Sequence, residues 1–130
     1  MAVRVICFGR DDCYRVPVLQ SAGYEVTEAE SLDSLALDLQ GNDRVDAVIV
    51  SEDDHRSAEN AADLVRQQST APIILFWRHN GGIDESKFDL VCSSFVEPQV
   101  WLERTAALIL RKLPVQMESE RLYSEMKAAR

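Results

Sequence analysis

The 130-residue chain is long enough for one domain with a single core, and its 46% hydrophobic and 28% charged residues mark a globular chain, not a disordered one. Asp and Glu outnumber Lys and Arg by 22 to 14, and the net charge of −8 repels a phosphate backbone, which argues against nucleic acid as a partner. No apolar run approaches the roughly eighteen residues of a membrane span. The opening "MAVRVICFG" lacks the apolar length and small-residue cleavage pattern of a secretory leader, so a cytoplasmic protein without membrane contact is expected.

Taken in chain order, five short apolar runs recur: "VRVICF" (3–8), "YEVTEA" (24–29), "VDAVIV" (45–50), "PIILFW" (72–77) and "FDLVCSS" (88–94). The first, third and fourth are nearly continuous, as strands covered on both faces must be, whereas the second alternates and suits a more exposed position. Helical segments lie between them. The first, over residues 11–22, has Asp11 or Asp12 as its cap, Gly23 as its stop and Pro17 in its middle, which should kink or restart it. The second opens at "SLDSLALDL", capped by Ser31 or Asp33, with Leu32, Leu35 and Leu39 as its stripe and Gly41-Asn42 as its end. The third, near 57–68, turns Ala58, Ala61, Ala62 and Val65 to the sheet. Before the fifth run, "RHNGGIDESK" leaves room for about one helical turn. A strong helix follows Pro98, with Val100, Trp101, Ala107, Leu108 and Leu110 near one face.

Alternating strands and helices of this length predict a five-stranded parallel sheet, doubly wound into a three-layer α/β/α sandwich. Residues 1–112 form the domain and residues 113–130 a C-terminal helical extension beyond Leu113-Pro114. That extension carries a thin stripe of Val115, Leu122 and Met126. From residue 111 onward five Lys/Arg face three Glu, against nine and 19 in residues 1–110. The opposite balance suggests that the extension packs on an acidic face of a second copy, making a homodimer; a frayed end or linker stub is the competing reading.

Cys7, Cys13 and Cys92 are odd in number and show no CxxC spacing, and Cys7 and Cys92 sit inside apolar runs, as buried small hydrophobes do. Neither His55 nor His79 lies at ligand spacing from a cysteine, so no metal and no cofactor are expected. "GNDR" and "HNGG" lack the spacing of a phosphate-binding glycine loop.

Five runs, five helical slots and the phrase "LQSAGYEVTEAESLDSLALDL" resemble the receiver domain of bacterial two-component response regulators, over residues 3–112. The resemblance implies a flavodoxin-like fold and a pocket at the carboxyl ends of the strands. In that family an acidic pair follows the first strand, a phosphoacceptor Asp ends the third, Ser or Thr ends the fourth, and Lys-Pro follows the fifth. Here the acidic pair is met by Asp11 and Asp12. The acceptor's place falls on Ser51, the switch hydroxyl's on or beside Trp77, and the Lys-Pro place near Ser93-Ser94, with Phe95 following.

Phosphoryl transfer from a histidine needs a carboxylate nucleophile and a divalent cation. A serine without an adjacent base is a poor substitute, and a tryptophan fills space the phosphoryl group needs. The chain therefore reads as a degenerate receiver, not an enzyme, that binds protein partners in signalling without aspartyl phosphorylation. Its degenerate pocket comprises Asp11, Asp12, Ser51, Glu52, Trp77 and Ser93. Trp77, Arg78 and Trp101 are the candidate partner-binding residues, with a plug for the vacant pocket as the competing role of Trp77 and the core as that of Trp101. Two alternatives stay open: an active receiver using Glu52 or Asp53 as a displaced acid, with Asp11 and Asp12 holding Mg²⁺, and a flavodoxin-like domain for a small ligand.

Overall fold

In a computed structural model of the chain, the described residues are 3–10, 14–41, 44–52, 54–79 and 81–111. Asp11, Asp12, Cys13, Asp53 and the C-terminal extension lie outside them, as does the expected domain boundary at 112/113. Five strands, β1 (Arg4–Gly9), β2 (Glu25–Ala29), β3 (Ala47–Ser51), β4 (Ile73–Trp77) and β5 (Leu90–Ser93), make one sheet in the order β2-β1-β3-β4-β5. All four pairings are parallel. The continuous apolar runs occupy the three inner positions and the alternating run is the β2 edge, as burial on one or both faces requires.

Side chains alternate across each strand, so the sheet feeds two apolar layers. Ile6, Phe8, Val48, Val50, Ile73, Leu75 and Trp77 pack beneath α2 (Leu32–Gln40) and α3 (His55–Gln68). Val5, Ala47, Ile49, Ile74, Phe76 and Cys92 pack beneath α1 (Arg15–Ser21) and α4 (Pro98–Arg111). Ala58, Ala61, Ala62 and Val65 of α3 are fully buried, the small side chains bringing the helix close to the sheet. Ser31 caps α2 by accepting from Ser34 N at 3.1 Å, and Asp54 caps α3 by accepting from Ser57 N at 3.2 Å. Between β4 and β5 the chain makes only a 3₁₀ turn, Glu85–Lys87. Among the described residues no helix is long and apolar enough to cross a membrane.

Two helices differ from expectation. The first starts at Arg15, after Tyr14 in the left-handed region (φ 55), whose side chain makes no capping hydrogen bond among the described residues. Pro17 thus falls in the first turn, where the missing N–H costs no intrahelical bond, so the expected kink has no cause. In α4 the buried stripe is Trp101, Thr105 and Ile109, spaced i, i+4, i+8. Val100, Ala107 and Leu110, expected to face inward, are exposed, and so is much of Leu32 in α2.

Candidate functional site

The carboxyl edge of the sheet is built from the ends of β1, β3 and β4 and the segment after β5. Gly9 closes β1 at φ +99 and pairs with Ser51; a Cβ at Gly9 would collide with the Ser51 carbonyl oxygen. The same carbonyl accepts from Arg10 N at 2.9 Å, which fixes the turn out of the strand. Glu52 Oε1 lies 3.0 Å from the position of that absent Cβ, so the Glu52 carboxylate folds back over the end of β1.

Ser51 faces the α1/α4 layer, and its partner across the ladder is Phe76. Into this corner comes a residue that no motif marks. Arg15, the first residue of α1, is 3% exposed and sends its guanidinium across the strand ends. It donates from Nη1 to Ser51 Oγ at 3.0 Å and from Nη2 to the Ser94 carbonyl at 3.2 Å, and its central carbon stands 3.9 Å from the centre of the Phe76 ring. Phe76 in turn meets Trp101 edge-on, ring centres 5.3 Å apart. A planar cation with five donors suits this role: it bonds two oxygens in its plane while its face rests on an aromatic ring. The cavity left among Cys7, Gly9, Arg15 and Ser51 is about 10 Å³, room for roughly one water.

Chemically, the corner holds a hydroxyl that accepts a hydrogen bond from a permanent cation. That contact does not take the serine proton, and so does not by itself activate Ser51 as a nucleophile. Cys92, on the same face, is also inert: burial pushes its thiol up, against the nearby Arg104 guanidinium that pulls it down.

Of the six residues expected to form the pocket, the structure gathers Ser51 and Glu52 at one strand end. Asp11 and Asp12 fall outside the described residues. Trp77 does not plug the corner, because strand alternation turns it to the opposite face, where it is 6% exposed and donates from Nε1 to the Gly81 carbonyl at 2.8 Å. Phe76 and Arg15 fill the corner instead. Ser93 is exposed, its Oγ accepting from Phe95 N at 3.3 Å; the segment after β5 reaches the corner through the Ser94 carbonyl. Trp77 and Ser93 line a second cavity of about 340 Å³ with Ile83, Val91 and His79, whose ring stands edge-on to Trp77 at 5.0 Å. The expectation that Trp77 and Trp101 offer themselves to a partner is corrected by their burial, since Trp101 is only 3% exposed. Arg78 remains at the surface.

No protein-family model and no curated protein matches the sequence. Solved structures do. The CheY-like receiver domain protein of Methanospirillum hungatei JF-1 superposes with a TM-score of 0.72 at 12% identity, over 85% of this chain and 96% of that one. The chemotaxis protein CheY4 of Vibrio cholerae gives 0.69 at 19% identity, over 83% and 99%. The receiver domain of the TMAO respiratory system response regulator TorR gives 0.69 at 19% identity, over 84% and 98%. At such identities the likeness is one of fold: this chain has the fold of response-regulator receiver domains.

Proposed function

We propose that the chain is a degenerate receiver, a signalling module that acts through contacts with protein partners and is not switched by aspartyl phosphorylation. The observation that carries this reading is the guanidinium of Arg15 on Ser51. At the end of β3 there is a hydroxyl where a receiver has its carboxylate, and an internal cation takes the space beside it. The space left in this corner is about 10 Å³, room for roughly one water, so a phosphoryl group entering it would have to displace the side chains that fill it. The signal such a module transmits is then set by a partner's binding energy. Proteins are the partners that fit a body of net charge −8, not nucleic acid, and the module carries out no catalysis of its own. A cytoplasmic setting follows from the same reading.

The test is the amide NMR spectrum of the labelled protein before and after Mg²⁺ and then beryllofluoride, which imitates a phosphoryl group on a carboxylate. Unchanged resonances at residues 9–10, 51–52 and 76–79 are expected. Shifts clustered there would overturn the reading and establish a working pocket.

One observation favours a second reading. The Glu52 carboxylate folds over Gly9 at the end of β1, which supports an active receiver using Glu52 or Asp53 as a displaced acid, with Asp11 and Asp12 holding Mg²⁺. The same titration separates the two, because that reading requires a Mg²⁺ response at residues 9–10 and 52. A flavodoxin-like small-ligand domain has less support, since the corner at the strand ends is filled by its own side chains.

A further inference from the structure

The amino edge of the sheet, opposite the Ser51 corner, holds a cavity of about 750 Å³. Its apolar lining is Val45, Ala71, Pro72 and Ile109, from the approach to β3, the α3–β4 connection and the last turn of α4. Arg44 and Arg66 line it as well, and each is half of an ion pair whose cation faces outward. Arg44 Nε meets Asp46 at 2.8 Å and Arg66 Nη2 meets Asp89 at 2.7 Å; the arginine side chains are 49% and 39% exposed, the carboxylates 9% and 20%. A guanidinium has five donors, so each can take a second carboxylate. This edge therefore presents positive charge on a body in which nine Lys/Arg face 19 Asp/Glu over residues 1–110.

The chain itself supplies an occupant. Helix α4 ends at Arg111, two residues beyond Ile109, so residues 112–130 leave the domain beside this cavity. Pro114 biases Leu113 toward extended backbone, and in an extended segment Leu113, Val115 and Met117 share one side, alternating with Pro114, Gln116 and Glu118. Residues 113–120 hold Glu118 and Glu120 and no Lys or Arg, the charge that the outward guanidiniums attract.

We infer that the cavity is the docking groove for the chain's own residues 113–120, with Val115 and Met117 covering Ala71, Pro72 and Ile109 and with Glu118 and Glu120 pairing with Arg44 and Arg66. Residues 112–118 reach at most about 24 Å, enough to cross the groove. Tethering sets their effective concentration on the order of millimolar, so a contact too weak to hold a separate peptide holds this one. The inference is independent of whether the Ser51 corner, at the other edge of the sheet, binds a phosphoryl group.

Methyl NOE spectra of the full chain, labelled at Ala, Ile, Val and Met, test it. Cross-peaks from the Val115 and Met117 methyls to those of Ala71 and Ile109 are expected. Val115→Asp with Met117→Asp should abolish them and shift the Ala71 and Ile109 methyls, leaving Ile6 and Ile49 in place; both substitutions lie outside the core. Glu118→Lys with Glu120→Lys should weaken them severalfold. A wild type without these cross-peaks, or cross-peaks untouched by either double substitution, would overturn the inference. So would cross-peaks in a mixture of molecules labelled only at Val and Met with molecules labelled only at Ala and Ile, which would assign the contact to a second copy.

Discussion

The fate of Ser51 is decided by a residue 36 positions earlier in the chain. Arg15 is a charged side chain on an amphipathic segment, and such residues are almost always solvated, so no periodicity or spacing announces that this one is buried. What places it is the left-handed Tyr14, after which α1 starts at Arg15 and its guanidinium reaches Ser51 and the Ser94 carbonyl. Replacing it tests the arrangement: Arg15→Met keeps bulk over Phe76 but leaves Ser51 Oγ and the Ser94 carbonyl without their donor, at a cost of about 2–3 kcal/mol in urea denaturation. A change under about 0.5 kcal/mol would show that water replaces the guanidinium at no loss. Thr105 presents the opposite case. Its hydroxyl is fully buried in α4 and has no hydrogen-bond partner among the described residues, so Thr105→Val should stabilise the protein by about 1 kcal/mol. Destabilisation would instead reveal a partner for that oxygen.

At the scale of elements, the strands were legible because burial on two faces writes continuous apolar runs, and α2 and α3 because their caps and small or leucine stripes agree with each other. Both caps lend themselves to measurement. Ser31→Ala should cost about 1 kcal/mol, the worth of one satisfied N–H at the start of α2. Asp54 titrates. The Ser57 N–H holds its carboxyl below the ordinary value, so its contribution is fully present above about pH 4 and is lost as pH falls through the lower folded value. Asp54→Asn keeps a capping oxygen but removes the charge; the stability difference from wild type seen at pH 7 should shrink as pH falls below the ordinary carboxylate range and through the lowered folded value. A difference that is flat with pH would mean that the charge plays no part. The elements that misled share one cause. In α1 a left-handed Tyr14 sets the start, and in α4 the buried stripe is Trp101, Thr105 and Ile109, with Trp101 against Phe76, and not Val100, Ala107 and Leu110; both are tertiary choices that the local pattern does not carry.

Across the whole molecule, the sheet order ranks the strands by how many neighbours hold them. β1, β3 and β4 are paired on both sides, and β3 is almost wholly buried, whereas β2 and β5 are edges. β5 is the shorter edge, four residues, and the crossover before it is a single 3₁₀ turn instead of a helix. That turn is tied to α3 through Lys87 Nζ on the Asp63 carboxylate at 2.9 Å, and the start of β5 through Arg66 Nη2 on Asp89 at 2.7 Å. The Asp63 carboxylate, bonded to Lys87, raises the ammonium's pKa, so the ammonium stays charged through neutral pH and its share of the tie is lost as pH rises through the raised value. Hydrogen exchange should therefore find β3 amides opening only with global unfolding and β5 amides opening first among the strands. Lys87→Met should speed exchange at residues 88–93 about threefold, as loss of an exposed ion pair does, and leave β1 and β3 unchanged. Uniform acceleration across the sheet would show that the turn belongs to the global cooperative unit, and that the missing helix has been replaced in stability as well as in connection.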